Sequence, residues 1–194
     1  AFTATLEEPP VDYESPALAL FAAPRIISAA RPDDVNILLV TIDCLRADHV
    51  GAYGYARPTT PNLDALAAEG VRFAHAYANA PMTIPSLPQI LTSSLFPRAS
   101  QDLVAGPIAA AGIPSAAIVN NVWLWLWLTT GRSTTSDGFD LLIGANEANA
   151  GAITDRAIAW LDAHRGQRFA LYLHYLDAHS PYTLYPPDAD VFRD

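Results

Sequence analysis

Hydrophobic and polar positions along the chain follow two rhythms, one of strands and one of helices. Val35 to Ile42 is a near-continuous apolar run of leucine and β-branched residues, the pattern of a strand covered on both faces in a parallel or mixed sheet. It ends on Asp43. Thr60, Pro61 and Asn62 open a helix through Glu69, with Pro61 suited to the first helical position and Gly70 to the stop. Val71 to Tyr77 reads as a second strand. The next helix is expected from Ile84 to Ser94, with Thr83 as its N-cap and Pro85 in its first turn. Gln101 to Ala111 predicts a helix stopped by Gly112, and Ser115 to Val119 a buried strand. Asn149 to Arg165 has helical periodicity, turning Ile153, Ala157, Trp160 and Leu161 inward and Asp155, Arg156 and Arg165 outward. Phe169 to Leu173 predicts one more strand.

Val122 to Leu128 reads VWLWLWL. As a strand, its alternation puts Trp123, Trp125 and Trp127 on one face and Leu124, Leu126 and Leu128 on the other. Both faces are then buried, or one is a surface for a partner, lipid headgroups or the apolar part of a substrate. Ala1 to Asp34 lacks any sustained period and is rich in proline and alanine, which predicts a leader or stalk with a short helix across Pro16 to Ala23. Residues 35–194 form the domain proper.

Composition narrows the class. With 51% hydrophobic and 16% charged residues in 194, the chain has the make-up of a globular domain with a real core. All 11 basic residues are arginine, and a net charge of -9 without a clustered basic face argues against a nucleic-acid partner. No apolar run reaches the ~20 residues that span a bilayer. One cysteine, Cys44, forms no intramolecular disulfide and leaves the redox compartment open.

Candidate chemistry lies at element ends. In open α/β sheets ligands collect beyond the carboxyl ends of the strands, so Asp43 is sited to hold a cation or polar substrate, or else simply closes a turn. Thr83 sits where unpaired N–H groups and the helix dipole favour an anion, although a threonine there can serve only as a cap. His179 follows the last strand and shares that sheet edge; His174 and Asp177 are weaker candidates. Arg46 and Asp48 read as substrate contacts or a loop salt bridge.

Taken together, NILLVTIDCLRADHVGAYGY, TTPNLDALAAEGVRF, TIPSLPQILTS, DGFDLL and FALYLHYLDAHSPY resemble successive segments of the sulfatase family, within the alkaline-phosphatase-like superfamily of metal-dependent hydrolases. The resemblance runs from about Asn36 to Tyr182. It implies an α/β three-layer sandwich on a mixed, mostly parallel sheet, of which this chain is the N-terminal portion. It puts Asp43 on the first metal-binding aspartate, Thr83 on the nucleophile and metal-ligand position, and His179 on a histidine that contacts the anion being cleaved. A divalent ion is implied, with calcium, magnesium, manganese and zinc all open. Three departures stand out: Cys44 occupies the place of a second aspartate, Leu87 that of the motif arginine, and the amides Asn120 and Asn121 that of a lysine. Threonine has no route to formylglycine, so none is expected, and an adduct on it must be released by water. Phosphate or phosphonate esters are then as well suited as sulfate esters.

Relatives complete the metal site with an Asp-Asn or Asp-His pair further downstream than Asp194. The expectation is therefore an incomplete catalytic domain whose site is finished by a C-terminal segment or second chain. The alternative is a non-catalytic interaction module that uses the tryptophan stretch and an open sheet edge, with homo-oligomers as one outcome. The resemblance implies a periplasmic or extracellular setting, with the cytoplasm left open.

Overall fold

A computed structural model describes residues 35–97, 103–130, 138–144 and 149–182. The leader expected over residues 1–34 lies outside them. Strands β1 (Ile37–Ile42), β2 (Ser115–Val119), β3 (Leu141–Gly144) and β4 (Ala170–Tyr175) form one sheet in the order β1-β4-β2-β3. All described pairings are parallel, with Leu39 beside Tyr172, Thr41 beside His174, and Val119 beside both Gly144 and His174. Parallel neighbours need crossover connections, which the five helices α1 (Pro61–Glu69), α2 (Thr83–Thr92), α3 (Ala105–Ala110), α4 (Val122–Thr130) and α5 (Ala150–Ala163) provide.

Alternation along β2 and β4 divides the core into two layers. Ala116 and Ile118 of β2, with Leu171 and Leu173 of β4, meet Ile153, Ala157 and Trp160 of α5 on one face. Ala117, Val119 and Tyr172 meet Leu87 and Leu91 of α2, Leu103, Ala105 and Leu124 on the other. The result is the expected helix, sheet and helix sandwich. The inward stripe of α5 matches its helical periodicity, and Asn149 caps it by accepting from the Ala152 N–H at 3.0 Å.

Several expectations need correction. Val122 to Leu128 is helical: Asn121 Oδ1 accepts from the Leu124 N–H at 3.0 Å and starts α4. Tryptophan and leucine are both apolar, so their alternation carried no polarity period and could not tell strand from helix. In the helix Trp123 and Trp127 share a face, while Trp125 packs on Gly144 so closely that a Cβ there would collide with the indole. Val71 to Tyr77 is an exposed irregular segment, because no described strand lies beside it to pair with its backbone. Strand β1 is an edge among the described residues, pairing only with β4, and Leu38 remains 56% exposed. Among the described residues it is therefore not covered on both faces. Helix α3 is shorter than Gln101 to Ala111, beginning at Ala105.

Candidate active site

The carboxyl edge of the sheet gathers the chemistry. Beyond β1 the ladder continues one step, with the Asp43 N–H donating to the Tyr175 carbonyl at 2.9 Å, and the chain then turns at Cys44 with a left-handed φ of 58°. That conformation is uncommon for a residue with a Cβ, and the turn sets the carboxylate and thiol side by side. Thr83 arrives from the other side, on the first turn of α2. Met82, not Thr83, is the residue that flanks the helix, and Thr83 caps no backbone group through its side chain. Its hydroxyl instead donates to Asp43 Oδ2 at 2.8 Å. A carboxylate is the stronger acceptor, and this charge-assisted bond joins two residues that lie 40 positions apart.

A buried chain of hydrogen bonds stands behind Asp43. Tyr172 OH lies 2.9 Å from Thr41 Oγ1, which lies 2.7 Å from His174 Nδ1. His174 is 1% exposed, and its Nε2 sits 3.7 Å from Asp43 Oδ2 without a closer partner. Burial pushes the imidazole's pKa down against the opposing pull of Asp43, so the ring is held neutral. Burial likewise pushes the Tyr172 phenol up to about 12. A phenol that stays protonated can donate to Thr41, whose hydroxyl lies against His174 Nδ1 and also donates to the Leu173 carbonyl at 3.5 Å. His174 was only a minor candidate from sequence. The parallel register reveals it, since Thr41 and His174 are paired two residues before Asp43.

His179 lies across from Cys44 on the loop after β4. Its Nδ1–H donates to the Ser180 carbonyl, which leaves Nε2 to face outward. Among the described residues Asp43, Cys44 and His179 form a cluster whose ligand atoms all lie within 4.8 Å of one another. The Asp43 carboxylate and the Cys44 sulfur, with the Thr83 hydroxyl on the same carboxylate, are donors suited to a divalent ion of the zinc type, and the His179 imidazole stands within reach of both. Cys44, in the place of a second aspartate, sets its Sγ in the cluster instead of a carboxylate. Its thiol pKa is raised by burial, then by its hydrogen bond to Asp43 and that residue's charge.

Other candidates fall outside the cluster's reach. Arg46 and Asp48 form an exposed two-pronged pair at 3.0 and 2.6 Å, the loop salt bridge that sequence allowed. Asp177 Oδ1 accepts from the Ala150 N–H at 2.9 Å and so helps start α5. Asn120 and Asn121 are buried at the end of β2, the latter capping α4.

Comparisons with known proteins bear on the family and the fold. The family model "Sulfatase" matches residues 35–194. Human arylsulfatase A is 40% identical over 81 residues, covering 42% of this chain and 16% of that protein. The zinc complex of the C-terminal periplasmic domain of EcEptC from Escherichia coli superposes with a TM-score of 0.59 at 21% identity, over 86% of this chain and 51% of that one. The phosphonate monoester hydrolase of Agrobacterium radiobacter superposes with a TM-score of 0.61 at 19% identity, over 81% and 44%. At such identities the two structures show a shared fold. The chain spans about half of each solved domain and a smaller share of arylsulfatase A.

Proposed function

The chain belongs to the sulfatase family, and from that premise we propose that it builds the nucleophile half of a metal-dependent hydrolase of sulfate or phosphorus esters. The observation that carries this reading is the 2.8 Å hydrogen bond from the Thr83 hydroxyl to Asp43 Oδ2 at the carboxyl edge of the sheet. Asp43, Cys44 and Thr83 Oγ1 would hold a divalent ion, which when bound neutralises charge on the group being transferred. Thr83 Oγ1 attacks phosphorus or sulfur while its proton passes to Asp43 Oδ2. The bond from the reacting atom to the alcohol oxygen breaks, and that oxygen takes a proton from the His179 imidazolium. Water then attacks the threonine adduct and gives its proton to neutral His179. Oγ1 leaves and recovers its proton from Asp43. No formylglycine enters this cycle. The substrate is an anionic ester, and the exposed Arg46 stays in its salt bridge with Asp48. Additional protein, in a C-terminal segment or second chain, completes the ligand set.

Acid-quenching the whole protein during turnover of 4-nitrophenyl phosphate and sequencing its peptides by mass spectrometry tests the reading. It predicts one phosphoryl group on the peptide containing Thr83. A phosphoryl group found elsewhere during turnover contradicts it.

A second reading has its own observation: Ile37, Leu38 and Val40 on β1 are exposed. A docked segment or second copy would cover that edge, and such a surface also suits an interaction module. Self-association measured by sedimentation, and lost on Leu38→Glu, would support it. We place the protein in the periplasm or outside the cell, by likeness to the periplasmic domains it superposes on. Among the described residues no helix is long and apolar enough to cross a membrane.

A further inference from the structure

Behind the cluster, His174 carries a buried ring whose Nε2 has no hydrogen-bond partner among the described residues. The backbone is pinned on both flanks. Strand β4 runs between β1 and β2, with Thr41 beside His174 on one side and Val119 on the other, and the Asn120 N–H donates to the His174 carbonyl at 3.2 Å. The ring is pinned too, since its Nδ1 lies 2.7 Å from Thr41 Oγ1. Held in that orientation, its Nε2 meets Asp43 Oδ2 at 3.7 Å. His174 is outside the group of ligand atoms formed by Asp43, Cys44 and His179, and it stands on the buried side of the carboxylate. A buried nitrogen without a partner loses its hydration with no return, and such groups in folded proteins mark strain or function.

The place of the ring proton follows from Thr41. Its hydroxyl has one proton and two acceptors in reach, Nδ1 at 2.7 Å and the Leu173 carbonyl at 3.5 Å, the outer limit of a hydrogen bond. The shorter contact takes the larger share of that proton, which leaves the ring's own proton on Nε2. The opposite tautomer would aim a buried lone pair at a carboxylate, setting two acceptors face to face. With Nε2–H toward Oδ2 the contact is attractive, and such contacts at reactive sites are often long until the site is occupied.

Resting on the reading of Asp43 and Cys44 as ion ligands, we propose that His174 is the positioning residue of the site. Its Nε2–H backs Asp43 Oδ2 from the core, fixes the rotation of the carboxylate and so sets how tightly the cluster holds its ion. It acts through Asp43 and touches neither ion nor substrate.

Two variants of the whole protein separate this role from packing. His174→Asn keeps an amide near the Nδ1 position, beside Thr41, and loses the group that faces Asp43. His174→Gln reaches further and returns an N–H donor near the Nε2 position. Competition calorimetry with zinc should show binding about 10- to 100-fold weaker in the asparagine variant, with most of that loss restored in the glutamine variant. Nitrogen-15 spectra of the parent should show the ring proton on Nε2. Zinc affinity unchanged in the asparagine variant overturns the proposal. So does an equal loss in both variants, which would assign His174 to packing, and so does a ring proton on Nδ1. A parent protein that binds no zinc while its ring proton sits on Nε2 would sink the ion reading and leave His174 as the group that holds Asp43.

Discussion

Tyr172, Thr41, His174 and Asp43 form a line of polar groups at the end of the sheet, and the phenol that starts it can be tested directly. Burial holds the Tyr172 phenol up to about 12 in the fold, against about 10 in an unfolded chain. The protonated phenol is thus favoured by folding, and its contribution is complete below pH ~10 and lost as pH rises through ~12. About 2–3 kcal/mol of stability should vanish over that window by linkage. Urea denaturation measured from pH 9 to 12 checks this, and Tyr172→Phe should flatten the limb. A limb unchanged in the phenylalanine variant would place the loss elsewhere. Beside this line, Cys44 makes a prediction about ions. Zinc should bind more tightly than magnesium, and Cys44→Ser should weaken zinc about 10- to 100-fold while sparing magnesium, as read by competition calorimetry. Equal loss for both ions would remove the thiol from the ligand set.

At the scale of elements, legibility followed polarity contrast. Helix α5 could be read from sequence because charged and apolar positions separate cleanly around it, and β2 because a short apolar run sits between turn signals. Helix α4 could not, since its residues are apolar on every side and only the Asn121 cap marks its start. Val71 to Tyr77 has strand-like residues, but strand formation depends on a neighbour that sequence does not reveal. The site itself was half legible. Asp43, Thr83 and His179 were identified by motif, whereas the inclusion of Cys44 and the backing of His174 depend on a left-handed turn and a parallel register. Two substitutions grade the elements. Asn121→Ala should cost about 1 kcal/mol through the lost cap, and Leu91→Ala, fully buried against α3 and β4, about 3 kcal/mol through the cavity it leaves. Urea midpoints measure both, and a costlier cap than core change would contradict the packing described.

For the molecule as a whole, the parallel sheet explains why residues far apart in sequence meet. Every described strand runs the same way, so the ends of β1 and β4 and the start of α2 face one edge. The acidic net charge of -9 makes anion binding a local affair of that edge, where His179 and the first turn of α2 offer donors. The Thr83 hydroxyl, aimed at Asp43, is the proposed nucleophile on which the chemistry turns. The most direct measurement compares the whole protein with its Thr83→Ala variant for turnover of 4-nitrophenyl phosphate, phenylphosphonate ester and sulfate in the presence of zinc. Loss of more than about a thousandfold, with the circular dichroism spectrum and urea midpoint unchanged, is the predicted result. Turnover within a few fold of the parent protein would contradict the account.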